Sequence, residues 1–248
     1  MMPETPKDGA ALSEPAEKDR AISRLKTHVA EMTALALVMV RDGTIAMLES
    51  DVNRMQSVIG HDAELDHFDI EIEAETMRLI AKLQPEAGDL RTLGAILKIA
   101  NCVDRVGRLG YDLAKNLRES PPIPDPRPVE LLRDMDARTR AMVEQAVDAF
   151  DRNDAEREKE IFAMDDDVDE LHRQLQTRLI DLLRSGGVST ERVALALLAG
   201  RHLERVGDNA CKIAEKAIYA ITGARRSEYF PALAHRSTSG SPPAPPPP

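Results

Sequence analysis

The segment VDRVG at residues 103–107 returns as LERVG at residues 203–207. A second acidic segment lies upstream of each copy: DAELD at residues 62–66, and DDDVD at residues 165–169. Self-similarity at a fixed spacing indicates that one structural unit is built twice. We therefore expect two similar units, each presenting carboxylates that are four residues apart.

The composition favours helices. Among 248 residues there is no Trp, aromatic residues make up 3% and charged residues 31%. This mixture is typical of helical proteins, since strands favour aromatic and β-branched side chains. The net charge of −10 argues against a general nucleic-acid-binding protein, which needs a basic face.

The sequence contains no segment that predicts a membrane span. The longest apolar runs, at residues 34–40 and 193–199, are far shorter than the roughly 20 residues that cross a bilayer. The first 19 residues are polar and lack the hydrophobic region of a signal peptide. Cys102 and Cys211 are expected to be reduced, buried residues of a cytosolic protein.

Apolar residues recur at three- and four-residue spacing, which predicts amphipathic helices. The six predicted helices cover residues 18–49, 52–83, 86–118, 128–151, 155–185 and 190–222. Asp51 is the predicted start of the second helix, and Gly223 follows the end of the sixth.

These helices form two three-helix units. The first unit is expected over residues 18–119 and the second over residues 129–225. Residues 120–128, rich in proline, forbid a continuing helix and form the predicted linker. Residues 1–17 and the proline-rich residues 226–248 are predicted to be disordered tails.

Acidic residues interrupt four of the apolar helical stripes, at Asp62, Asp104, Asp165 and Glu204. Further acids follow four positions after three of them, at Asp66, Asp169 and Asp208. Like charges at this spacing repel each other, and a buried carboxylate is unfavourable without a partner. All-oxygen clusters suit hard cations, so these residues are candidate metal ligands.

Three readings of the acids remain open at this point: a metal-binding regulator, a carboxylate-bridged metalloenzyme, and a metal-free helical scaffold with solvated acids or arginine ion pairs. Oxidative di-iron bundles use a Glu-x-x-His spacing on two helices, whereas the repeated motifs here are acid-x-x-x-acid and have no histidine at the required place. Arg108 stands where the second unit has Asp208. Its guanidinium could neutralise Asp104 or Asp112, which would weaken or remove a first metal site.

The residues resemble the phosphate-uptake regulator family, PhoU. Residues 203–208 (LERVGD), followed by 213–215 and 218–219, resemble the second signature of that family. Residues 89–91 (DLR), 97–100 and 104–107 resemble the first. The resemblance covers roughly residues 18–225. Two departures are Asn209, where the family usually has histidine, and Arg108, where it usually has aspartate.

The resemblance implies an all-α fold of two three-helix bundles related by pseudo-twofold symmetry. It also implies a cytoplasmic, non-enzymatic negative regulator of phosphate uptake and of the phosphate-starvation response. Such proteins link the ATPase subunit of a phosphate ABC transporter to a sensor histidine kinase of a two-component system. They reach the membrane only through these partners, often form homodimers, and do not bind nucleic acid.

The resemblance further implies metal clusters held by the acidic motifs. The metal would be iron, manganese, magnesium or zinc. The implied ligands are Asp62, Asp66 and Asp104 in the first unit, and Asp165, Asp169, Glu204 and Asp208 in the second.

Overall fold

The computed structural model describes residues 14–116, 123, 125–225 and 228. These residues form helices and no strand, which confirms the all-helical prediction. The helices are α1 (Glu14–Glu49), α2 (Val52–Gly60), α3 (Asp62–Leu83), α4 (Ala87–Lys115), α5 (Arg127–Arg152), α6 (Glu158–Arg184) and α7 (Thr190–Thr222). No helix in this part of the chain is long and apolar enough to cross a membrane.

Local capping explains where several helices begin and end. The side chain of Asp51 accepts a hydrogen bond from the backbone N–H of Arg54 at 3.0 Å and caps α2. Ser189 caps α7 in the same way, and Gly223 ends it with a left-handed φ of 75°. A side-chain acceptor at the start and a left-handed residue at the end satisfy backbone groups that the helix leaves unpaired. The bounds predicted for the last helix, 190–222, are those observed.

The single helix predicted over residues 52–83 is wrong, because the chain breaks at His61 into α2 and α3. The N–H of His61 bonds the carbonyls of both Ser57 and Val58 at 3.2 Å, which tightens the last turn of α2 after Gly60. The apolar spacing of Val58, Leu65 and Ile72 runs through the break and so does not reveal it.

Other boundaries differ from the predictions by a few residues. Helix α1 begins at Glu14, so residues 14–17 are helical and not part of a tail. Helix α6 begins at Glu158 and not at Ala155, because Asn153 adopts a left-handed φ of 56°. Predicted helical residues 117 and 118, and nearly all of the predicted tail 226–248, lie outside the described residues.

One hydrophobic core joins the two units. Helix α4 packs on α1 and α3, α7 packs on α5 and α6, and α4 and α7 pack on each other. Lys26 of α1 also reaches the end of α5, where its Nζ donates to the carbonyls of Phe150 and Asp151 at 3.0 Å. This ammonium satisfies carbonyls that the last turn of α5 would leave without an intrahelical donor.

Candidate functional site

The predicted metal ligands form two clusters at equivalent places in the two units. Asp62 and Asp66 lie on α3 beside Asp104 of α4. Asp165 and Asp169 lie on α6 beside Glu204 and Asp208 of α7. Each cluster therefore joins the last two helices of its unit, α3 to α4 and α6 to α7, as the repeated motifs predicted. We name them the first and the second acidic cluster.

Arg108 forms ion pairs with all three predicted ligands of the first acidic cluster. Its Nε donates to Asp104 at 3.1 Å, one Nη contacts Asp62 at 3.4 Å, and the other Nη bonds Asp66. The guanidinium thus connects α4 to α3 through all three predicted ligands. The sequence indicated Asp104 or Asp112 as its partner; Asp104 is one of the three observed, and Asp62 and Asp66 were not foreseen.

Asp69 belongs to the first acidic cluster and was not named as a candidate ligand. Burial raises the pKa of this carboxyl, and Asp104, Glu73 and Asp66 raise it further. Asp69 lies seven residues after Asp62 on the same helical stripe. This spacing places both side chains on one face of α3 and could have identified Asp69 as a member of the cluster. Four carboxylates thus surround a single guanidinium, which leaves this cluster negative overall.

Asp165 and Asp169 in the second acidic cluster strongly favour protonation or a cation. Burial, followed by repulsion from Asp169 and Asp208, raises the pKa of Asp165 to about 6. The pKa of Asp169 is raised by burial and by Glu204 and Asp208. None of the described Lys or Arg residues forms an ion pair with these three aspartates. Within the described residues these aspartates therefore lack a counter-charge like the one that Arg108 supplies to Asp62, Asp66 and Asp104.

Glu204 differs from the aspartates of its cluster because its carboxylate has basic neighbours. Its Oε2 bonds Nη1 of Arg201 and lies 3.8 Å from Nδ1 of His172. The Glu204 side chain is 18% exposed and that of His172 is 12% exposed. Arg201 thus occupies one oxygen of this predicted ligand, while His172 borders the cluster from α6.

Glycines allow the helices to approach each other at both clusters. A Cβ at Gly207 would lie 3.2 Å from Oδ1 of Asp165, so α7 passes directly beside this carboxylate. A Cβ at Gly107 would overlap the side chain of Leu65. Both contacts confirm the interpretation that a glycine next to the repeated acid marks a close approach.

Cys211 is a further group at the second acidic cluster that the candidate set did not include. Its thiol is hydrogen-bonded to Asp165, which partly offsets the rise in the pKa of that carboxyl. Cys211 lies seven residues after Glu204 on the same apolar stripe, where it was read as a small buried residue. A thiol there adds a weak donor, not a counter-charge.

The two clusters fit a cation to different degrees. As the side chains are placed, no group of three His, Cys, Asp or Glu residues within the described ranges is arranged to hold a metal ion. In the first cluster Arg108 stands among the acids, and a cation there would have to displace it. In the second cluster the raised pKa of Asp165 shows mutual repulsion that a bound cation would relieve.

The protonation of Asp165 predicts how stability depends on pH in the metal-free protein. A carboxyl whose pKa is raised on folding keeps its proton in the folded state up to about 6, whereas the unfolded chain loses it near pH 4. Its contribution to stability is therefore full below about pH 4 and is lost as the pH rises through 6. We expect Asp165→Asn to stabilise the protein at pH 7.5 and to have a smaller effect at pH 4.5.

The measurement is the thermal midpoint of both proteins at the two pH values, with a chelator present. Comparing the variant with the parent chain at each pH cancels the contributions of acids that do not interact with residue 165. A difference in midpoint that is the same at pH 4.5 and 7.5 would contradict the assignment of the shifted pKa to Asp165.

Comparison with known proteins relates both units to one family. The family model described as the PhoU domain matches residues 29–117 and residues 132–217. A relative named phosphate-specific transport system accessory protein PhoU homolog, from Aquifex aeolicus, is 31% identical over 207 residues, 82% of this chain and 92% of that protein. PhoU homolog 1 of Thermotoga maritima is 29% identical over 213 residues, 86% and 92% of the two chains.

A solved structure supports the same relationship. The crystal structure of PhoU from Pseudomonas aeruginosa superposes with a TM-score of 0.77 at 27% sequence identity. The superposition covers 83% of this chain and 99% of that one. Because both repeats match the domain and the fold agrees over almost the whole of that crystal structure, the chain belongs to the PhoU family.

Proposed function

We propose that this chain is an accessory regulator of a phosphate-specific transport system. The observation that carries the proposal is the match of both repeats to the PhoU domain, together with relatives that are named accessory proteins of that system. The chain covers more than nine-tenths of these two relatives, so the match extends over both units and is not confined to one of them.

In this role the chain acts in the cytoplasm as a non-enzymatic adaptor. It contacts the ATPase subunit of the phosphate ABC transporter and a sensor histidine kinase, and it holds them in the state that signals sufficient phosphate. It is thus a negative regulator of phosphate uptake and of the phosphate-starvation response. Two similar helical units offer two related docking faces, and a homodimer would double them.

The second acidic cluster would hold a metal ion in this adaptor. Asp165, Asp169, Glu204 and Asp208 would be the ligands, with Glu204 released from Arg201. A hard cation such as magnesium, manganese or iron suits such carboxylates, while zinc would suit a set joined by His172. The bound charge would cross-link α6 to α7 and fix the shape of the docking surface. In the first cluster Arg108 already connects α3 to α4.

Two other functions were left open by the sequence. A metalloenzyme would use the same carboxylates, and oxygen consumption by the iron-loaded protein would favour it. A metal-free scaffold would need a counter-charge for Asp165 and Asp169. Among the described residues Arg108 pairs with Asp62 and Asp66 of the first cluster, whereas the ion pair of the second cluster is made by Glu204 with Arg201 and not by these two aspartates. The second cluster therefore favours the metal-binding adaptor over the scaffold.

The proposed regulation is tested in the host by deleting the gene and measuring a phosphate-starvation reporter in phosphate-rich medium. We expect constitutive expression, because the negative regulator is missing, and repression when the chain is supplied from a plasmid. A reporter that stays repressed after the deletion would contradict the proposed regulatory role.

A further inference from the structure

A groove of about 430 Å³ runs between the beginning of α4 and the end of α7. Its lining combines cationic and apolar side chains, among them Leu90, Arg91, Ala95, Lys98, Lys216 and Tyr219. Neither acidic cluster contributes a residue to this lining. The groove is therefore separate from the candidate metal site, although α4 and α7 contribute to both.

The cations of the groove have no acidic partner among the residues that the structure describes. Arg91, Lys98 and Lys216 form no ion pair with any residue in the described part of the chain. A second groove, of about 480 Å³ between α5 and α6, provides the comparison. Its arginines are all ion-paired: Arg127 with Glu130, Arg173 with Glu170, and Arg178 with Asp125. Three cations that form no ion pair with a described residue, on a chain of net charge −10, distinguish the α4–α7 groove from the second one and would suit an anion.

The guanidinium of Arg91 is packed against the end of α7, but one of its hydrogen-bond donors has no acceptor among the described residues. It packs on the turn that ends α7, where a Cβ at Gly223 would lie 3.5 Å from its Cζ. Its buried Nε donates to no acceptor among the described residues. Part of its charge offsets the carboxyl end of α7, which carries a partial negative charge. The remaining donors are available to an anion in the groove.

The amino end of α4 borders the groove, and Asp89 in its first turn is paired with Lys18. Glu86, at the N-cap position, makes no side-chain hydrogen bond to the first turn of this 29-residue helix. Ala87, the first helical residue, lines the groove. Unpaired N–H groups and the helix dipole favour an anion at such a position.

The apolar part of the lining indicates that the anion is attached to an organic group. Leu90 is 47% exposed and Tyr219 43% exposed, although both are large apolar residues. They lie on either side of the groove, one on α4 and the other on α7. The volume lies within the range of small-molecule sites, roughly 300–1,000 Å³. An inorganic ion would contact the cations alone and would leave the apolar surface of Leu90 and Tyr219 exposed to solvent.

We propose that the α4–α7 groove binds a small organic phosphate, with its phosphoryl oxygens on Arg91, Lys98 and Lys216 and its apolar or aromatic part on Leu90 and Tyr219. A nucleotide has this chemistry. The proposal goes beyond the regulatory role and does not depend on it. It also requires no metal, so that binding can be measured with a chelator present.

The test is titration calorimetry of the full chain in EDTA with ADP, AMP, pyrophosphate and inorganic phosphate. We expect ADP and AMP to bind more tightly than the two inorganic ions. Lys98→Gln/Lys216→Gln should weaken nucleotide binding about tenfold or more, since each charge-assisted hydrogen bond that is lost has a large effect. The matched control is Arg105→Gln/Lys212→Gln, which changes the same charge on the same two helices outside the lining.

The variant Tyr219→Leu tests the contribution of the organic part of the ligand separately from that of its phosphate. It should weaken AMP and ADP binding several-fold and leave pyrophosphate binding unchanged, because only the nucleotides carry a ring to stack. The proposal is overturned if neither nucleotide binds, or if the control variant loses as much affinity as the groove variant. It is equally overturned if inorganic ions bind as tightly as nucleotides and Tyr219→Leu has no effect, since the groove would then be a simple anion site.

Discussion

Replacing both Asp165 and Asp169 with alanine is expected to abolish the metal binding proposed for the second acidic cluster. These two aspartates are the α6 half of the cluster. Burial raises the pKa of both carboxyls, and neighbouring carboxylates raise them further: Asp169 and Asp208 act on Asp165, and Glu204 and Asp208 act on Asp169. Without them, Glu204 and Asp208 remain on a single helix, and Glu204 is engaged by Arg201. A hard cation needs several oxygen ligands, so we expect affinity to fall on the order of a hundredfold or more.

Metal content is measured by mass spectrometry after loading with Mn²⁺ and dialysis. The matched control is Asp62→Ala/Asp66→Ala, which removes the equivalent pair from the first acidic cluster. Because Arg108 already neutralises that pair, the control should retain the metal content of the parent chain. Equal metal content in all three proteins would contradict the assignment of the ligands, whatever the regulatory role of the chain.

Much of the fold is predictable because the pattern that encodes it is local. The three–four spacing of apolar residues fixes each helix, and Ser189 and Gly223 define α7 to the residue. The break at His61 is different, since the apolar spacing continues across it and only the hydrogen bonds of Ser57 and Val58 show it. The start of α6 likewise depends on a left-handed Asn153 that no periodicity reveals.

The sequence predicts which residues form the candidate site, but it does not predict which of the acids form ion pairs. The repeat identified Asp62 and Asp165 as equivalent positions, and the structure places each beside the expected helix. Which acids an arginine reaches depends on the packing of one helix against another. Arg108 therefore contacts Asp62 and Asp66 across the interface of α3 and α4, a pairing that sequence separation does not indicate. The contact between Cys211 and Asp165 likewise depends on how α7 packs against α6, so the sequence does not predict it.

Gly110→Ala should destabilise the protein severely, although alanine is the better helix former. Gly110 lies where α4 crosses α1, and an added Cβ would stand 2.5 Å from the backbone nitrogen of Val40 and 2.6 Å from the carbonyl oxygen of Met39. These are main-chain atoms in the interior of α1, which cannot move aside as a side chain could. Overpacking of this kind costs about 1–3 kcal/mol or more, and we expect the upper end here.

The matched control is Gly94→Ala, the same substitution in the same helix. A Cβ at Gly94 meets nothing within 4 Å, so the variant should gain roughly 0.5–1 kcal/mol from the helix preference of alanine. Thermal unfolding followed by circular dichroism measures both. For a chain of this size we expect Gly110→Ala to lower the midpoint by about 5–10 °C, since 1 kcal/mol corresponds to roughly 2–4 °C. If the two variants unfolded at the same temperature, the close crossing of α1 and α4 would be wrong, and with it the packing that positions Asp104 and Arg108 on α4.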